Sequence, residues 1–182
     1  MDTAIPPQEH NESGFSLVEV MVAALILVVG LVAAAQGMAV GLAVMVTSQQ
    51  DSIARQKARE AMEDIFTARD DALITFTQVC NISAGTPCIF EDNAEDLLTP
   101  GPDGIVNTAD DGPSVETIDT PGPNGILGTS QDVLVPLVGY TRQVQITQIT
   151  SILSEITVTI KYTTPNGLSR KVTLVALMSP YA

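Results

Sequence analysis

The chain has 182 residues, with 21 Asp and Glu against 8 Lys and Arg and a formal net charge of −13. That length suits one compact domain with a long helix added. Such acidity, without a run of basic residues, argues against nucleic acid binding by the folded part and against adhesion to anionic lipid headgroups. There is no Trp, and aromatic residues make up 4% of the chain, which disfavours a site that stacks on carbohydrate.

From Phe15 to Val46 the sequence is apolar, with Glu19 as the one charge and Gln36 as the other strongly polar side chain. A bilayer core about 30 Å thick is crossed by about 20 apolar residues in a helix, and this run exceeds that length. A secretory signal would have a basic n-region, a shorter apolar core and a small-residue cleavage site after it; none is present. A plain membrane anchor would have no reason to keep Glu19, because a carboxylate in lipid is expensive without a partner or a function.

The string Gly14-Phe15-Ser16-Leu17-Val18-Glu19-Val20, followed directly by the apolar run, resembles the cleavage and methylation signature of type IV pilins and type II secretion pseudopilins. The resemblance implies that residues 1–14 are a leader, cut by a prepilin peptidase between Gly14 and Phe15, with methylation of the new N-terminus. It also implies that Glu19, four residues on, pairs with the N-terminal ammonium of a neighbouring subunit during assembly. A buried carboxylate and a buried ammonium each relieve the other's desolvation. Leaders of this family are usually basic, in keeping with the positive-inside rule, whereas this one holds Asp2, Glu9 and Glu12 and no Lys or Arg. The implied location is the inner membrane, single pass, with the C-terminal domain in the periplasm, and then a pilus or pseudopilus.

Residues 15–46 read as the transmembrane and filament-core helix. Gly30, Gly37 and Gly41 are small positions, and Gly37-x-x-x-Gly41 is a ridge that permits close helix contact. Residues 47–76 read as an amphipathic continuation. Apolar positions at Ile53, Ala54, Ala58, Ala61, Met62, Ile65 and Phe66 follow three-and-four spacing, and no Pro occurs from Phe15 to Phe76. Arg55, Lys57, Arg59, Glu60, Glu63 and Asp64 then read as a solvated face.

Residues 77–182 read as a β domain. Cys80 and Cys88 flank Gly85 and Pro87, which supply a turn; an oxidising periplasm would close this loop as a disulfide. The sole His, His10, lies in the leader, so a Cys/His metal site has too few ligands. Residues 91–132 are a turn-rich acidic insertion with an internal repeat at an offset of 21 residues. Pro100-Gly101-Pro102-Asp103-Gly104-Ile105 recurs as Pro121-Gly122-Pro123-Asn124-Gly125-Ile126, and Thr108 and Asp111 recur as Thr129 and Asp132. Clustered carboxylates repel, and Ca²⁺ takes six to eight oxygens, backbone carbonyls among them. The segment is similar to Gly-Pro-Asp-Gly calcium loops of surface proteins, and the expected ligands are Asp103, Asp110, Asp111, Asp119, Asn124 and Asp132. The same residues also serve as ordinary turn formers in a solvated loop.

The remaining sequence reads as strands. Residues 133–137, 140–147, 154–162 and 168–178 alternate or run apolar, with a hairpin turn at Thr164-Pro165-Asn166-Gly167. Ile156, Val158, Ile160, Val172, Leu174 and Ala176 line one face, which the amphipathic helix covers. The expected fold is α+β: a long N-terminal helix packed on a C-terminal antiparallel sheet, the type IV pilin architecture. The expected function is a minor pilin, most like the V-type pilus-modification pilins, that associates with other pilins through its N-terminal helix. The alternative is a minor pseudopilin of a type II secretion system. A membrane-anchored enzyme finds no support, because no His lies outside the leader and no nucleophile motif is present.

Overall fold

The computed structural model describes residues 14–181. The leader features at positions 1–13 lie outside the described residues. The chain divides into two compact units, Met1–Leu42 and Ala43–Ala182.

The first unit consists of residues 14–16 in non-helical backbone and the start of helix α1 (Leu17–Asp70). Its Leu, Ile and Val side chains are exposed throughout. The helix is long and apolar enough to cross a membrane. It runs unbroken through Gly30, Gly37 and Gly41, and nothing approaches the Cβ positions of those glycines.

In the second unit α1 buries Ala54, Ala58, Ala61, Ile65 and Ala68. Their alternating spacing of four and three keeps them on one stripe. Met62 is buried beside them, and because four of the six buried apolar residues on the helix are Ala, the sheet supplies most of the bulk of the core. The helix ends at Asp70, six residues short of the amphipathic segment read over 47–76. Ala72 takes a left-handed φ of 56°. The Leu73 amide donates to the Ala68 carbonyl at 2.8 Å, and that of Ala72 to Arg69 at 3.0 Å. This is the double hydrogen bond of a Schellman terminus; the apolar residues beyond it, Ile74 and Phe76, enter a loop and a short 3₁₀ turn, Phe76–Gln78.

Six strands follow: β1 (Glu95–Asp96), β2 (Thr117–Thr120), β3 (Val133–Pro136), β4 (Tyr140–Thr150), β5 (Leu153–Thr163) and β6 (Ser169–Met178). The main sheet is antiparallel in the order β1-β4-β5-β6. Its register pairs Ile156 with Ala176, Val158 with Leu174 and Ile160 with Val172, so the apolar face expected from alternation forms. Ile156, Val158 and Ile160 are fully buried, each stabilising by about 2 kcal/mol relative to exposure. Tyr140 and Tyr162 stack beside them with ring centroids 5.5 Å apart. The β5–β6 connection is the expected hairpin: Gly167, at φ 77°, donates to the Thr164 carbonyl at 2.8 Å. Residues 133–137 do not join this sheet. They pair as β3 with β2 in a separate two-stranded ribbon, and β2 lies within the segment read as loop.

Lys57 is not part of a solvated face. It is 8% exposed, and its Nζ lies 2.7 Å from Glu116 Oε2 and 2.8 Å from Glu60 Oε2. The other oxygen of Glu116 accepts from Arg142 Nη1 at 2.7 Å, and Arg142 Nη2 donates to the Leu98 carbonyl at 3.0 Å. One buried carboxylate therefore joins α1, the insertion and β4. Burial pushes the Lys57 ammonium down, but the hydrogen bonds to Glu116 and Glu60 outweigh it and hold the group above its ordinary value. A raised lysine contributes stability that is complete at neutral pH and is lost as the pH rises beyond its ordinary range.

Removing one member of a buried ion network leaves the others unpaired, at a cost of about 3 to 5 kcal/mol. Glu116→Ala is expected to destabilise the protein by about that amount in urea unfolding. Replacing Lys57, Glu116 and Arg142 together by Met, Leu and Met is expected to recover most of it. A loss below about 1 kcal/mol in the single variant would show that the network carries no stability.

Candidate functional site

The bond between Gly14 and Phe15 lies in non-helical backbone just ahead of α1. Gly14 is exposed, and Phe15 is 84% exposed. A peptidase needs extended backbone that its own groups can reach, and helical backbone does not offer that. The first helical hydrogen bond follows at once, from the Val20 amide to the Ser16 carbonyl at 3.2 Å. The scissile position and a stable helix are thus separated by two residues.

Glu19 sits in the first turn of α1 and is exposed. Among the described residues no salt bridge includes it. Its position at the helix N-terminus, where backbone N–H groups are unpaired, favours a negative charge. Ser16-x-x-Glu19 also has the spacing of a capping box, so the motif suits helix initiation as well as processing.

The two copies of the acidic repeat fold alike. Ile105 donates its amide to Asp103 Oδ1 at 2.9 Å, as Ile126 does to Asn124 Oδ1 at 3.1 Å. Asp111 Oδ2 accepts from the Asn107 amide at 2.8 Å, as Asp132 Oδ2 does from Gly128 at 2.6 Å. Thr108 and Thr129 each donate a hydroxyl to the Asp that closes the copy, both at 3.1 Å. Both copies hold residue eight in left-handed backbone, Asn107 at φ 67° and Gly128 at φ 81°.

They differ in where they sit. In the first copy Ile105 and Val106 are buried in the core, and Asn107 ties the turn down: its Nδ2 donates to the Glu91 carbonyl at 3.1 Å and its carbonyl accepts from the Glu91 amide at 2.9 Å. In the second copy Gly128 replaces that side chain, and Ile126 and Leu127 are 61% and 58% exposed.

Of the residues expected to hold calcium, Asp103 and Asp110 line one cleft with Thr108, and Asp111 shares the Thr108 hydroxyl with Asp110. Among the described residues no group of three or more His, Cys, Asp or Glu has metal-binding geometry. Asp103, Asp111, Asn124 and Asp132 direct oxygens to backbone N–H groups of their own turns, and Asp110 accepts from Thr108 at 2.8 Å. Asp119 lies in β2 opposite Leu134, outside both turns. Burial pushes the Asp111 carboxyl up against the lowering effect of its hydrogen bonds from Asn107 and Thr108.

Cys80 and Cys88 form the expected disulfide, with Cα atoms 4.8 Å apart. The neighbouring Asn81 was not legible as important. Its Nδ2 donates to the Val144 carbonyl at 2.8 Å, and its Oδ1 accepts from the Ile146 amide at 2.7 Å. One side chain thereby covers the edge of β4 beyond the short β1.

A family model described as the prokaryotic N-terminal methylation motif matches residues 10–35. No curated protein and no solved structure matches the chain significantly. The chain carries a type IV pilin-like prepilin signature, and its helix-on-sheet architecture is type IV pilin-like.

A Cβ on Gly101 would collide with the backbone of Asp110, and one on Gly122 with that of Gln131. Because only the first copy is packed into the core, Gly101→Ala is expected to lower the melting temperature. Gly122→Ala is expected to leave it unchanged while amide hydrogen exchange speeds up at Gly128 and Thr129. Equal losses in both variants would show that the second copy also supports the core.

Proposed function

We propose that this chain is a minor subunit of a type IV pilus, a structural protein without catalytic activity. As a pilin-like or pseudopilin-like protein it is processed by a prepilin peptidase and assembles with other pilins. The observation that carries the reading is the accessible Gly14–Phe15 bond immediately ahead of an apolar helix whose first turn holds Glu19. Cleavage there creates an ammonium about one helical turn from that carboxylate. In an apolar filament core, the ammonium of one subunit and the carboxylate of the next each remove the other's desolvation cost. A minor pseudopilin would use the same N-terminus, so the choice between the two rests on which assembly holds the protein.

Mass spectrometry of the mature protein is expected to find an N-methylated chain starting at Phe15. Glu19→Ala is expected to be inserted and cleaved normally but to be depleted from sheared pili. A mature N-terminus beyond Val46 would exclude the pilin reading. Normal incorporation of the Ala variant would remove the pairing role, and a wild-type protein absent from pili but needed for secretion would assign it to the pseudopilins.

A further inference from the structure

Charge on the folded unit is segregated. Between Arg69 and Arg142 the sequence has no Lys or Arg, and after Glu155 it has no Asp or Glu. Strand register turns that separation into a gradient across one face of the main sheet. Ile160 and Tyr162 are buried in the core, so Lys161 between them lies on the outer face. Lys161 is paired with Lys171 in β6 and with Thr141 in β4, and Thr141 is paired with Asp96 in β1. Asp96, Thr141, Lys161 and Lys171 therefore form one row across all four strands. Asp96, Lys161 and Lys171 are exposed. Arg170, paired with Tyr162, belongs to the opposite face.

The row is acidic at one edge of the sheet and basic at the other, and neither end is matched within the chain. None of the salt bridges among the described residues includes Lys161, Lys171, Glu95 or Asp96. Like charges directly opposite each other on paired strands are destabilising. A lysine on an edge strand can serve to block unwanted pairing. Lys161 sits on β5, which has a neighbour on each side, so that role does not account for it. At the other edge, partial burial and then the repulsion of Glu91 and Asp111 push the Glu95 carboxyl above its ordinary value. With strands about 4.8 Å apart, Asp96 and Lys171 of one copy are about 14 Å apart along the row. A second copy displaced along the row brings its Asp96 level with Lys171 of the first.

We propose that copies of this chain dock side by side, with Lys161 and Lys171 at the β6 edge of one copy taking Asp96 and Glu95 at the β1 edge of the next. The two surfaces are different, so the contact is head-to-tail: it does not close on itself, and it suits a run of like-oriented subunits. Charge complementarity of this kind sets register and partner choice more than raw affinity. The contact needs only copies of this chain, so it stands or falls apart from the pilus reading.

Both native cysteines are in the disulfide, so an introduced thiol takes a fluorophore alone. Full-length Asn166→Cys would be labelled in two batches, one with a donor dye and one with an acceptor, and the batches mixed in detergent at low salt. Energy transfer between copies is expected, and it is expected to fall at high salt. Adding Lys171→Glu to both batches, or Asp96→Lys to both, is expected to weaken association about fivefold without changing thermal melting. Mixing a Lys171→Glu donor batch with an Asp96→Lys acceptor batch regenerates one wild-type contact, between the lysine edge of the second and the acidic edge of the first. Transfer is expected to recover in that mixture. Carbodiimide, which joins a lysine amine to a nearby carboxylate, is expected to link Lys171 of one wild-type copy to Asp96 of another. Transfer indifferent to both variants, or no recovery on mixing them, would overturn the proposal. Links from the two lysines to Asp119 or Asp132 of the second copy instead would show docking through the insertion, and would also overturn it.

Discussion

The folded unit depends on one carboxylate. Glu116 stands immediately before β2 and divides its two oxygens between Lys57 of α1 and Arg142 of β4. Taking a lysine, an arginine and a glutamate out of water is costly unless each finds its partner, so the three elements must meet in one arrangement. The network links the helix and β4 to the insertion. With the insertion anchored there, Ile105 and Val106 are placed in the core and β2 can pair with β3.

The one helix meets two different solvents. Over residues 17–42 it presents Leu, Val and Ile outward on every side, which suits lipid or the flanks of other such helices. From Ala54 onward the apolar positions shrink to a stripe of mostly Ala, and charge occupies the rest. The change of side-chain size is as informative as the change of polarity. A helix bedded on a sheet needs small residues to approach it, whereas a helix in lipid has no such limit. Glu19 is the exception within the apolar half. Its cost is tolerable only with a positive partner, and processing at Gly14 is the event that would generate one.

Sequence reading captured the features whose signals are local. The apolar run, the methylation signature, the alternation in β5 and β6, the hairpin at Thr164 and the disulfide all depend on residues within a few positions of one another. What it missed depends on residues far apart. Lys57, Glu116 and Arg142 are scattered over 85 positions, and each reads singly as a solvated charge. Asn81 mimics a strand edge through a contact 65 residues away. Lys161 and Lys171 become neighbours only through strand register. The helix end was misplaced because Ala72, unlike Gly, gives no sign of a left-handed turn. The repeat was read correctly as a repeat, but identical turn chemistry gave no hint that one copy would be buried and the other left outside.

That asymmetry has a consequence for tolerance to substitution. Two turns share one hydrogen-bonding plan, and the core needs only the first of them. The folding requirement therefore falls on Ile105, Val106 and Asn107 and little on Ile126, Leu127 and Gly128, although the second set has a shape held by Asn124, Thr129 and Asp132. A spare, rigid loop on the outside of a stable domain is free to change its side chains without endangering the protein that displays it. The repeat thus leaves this chain a turn whose side chains can be exchanged at little structural risk.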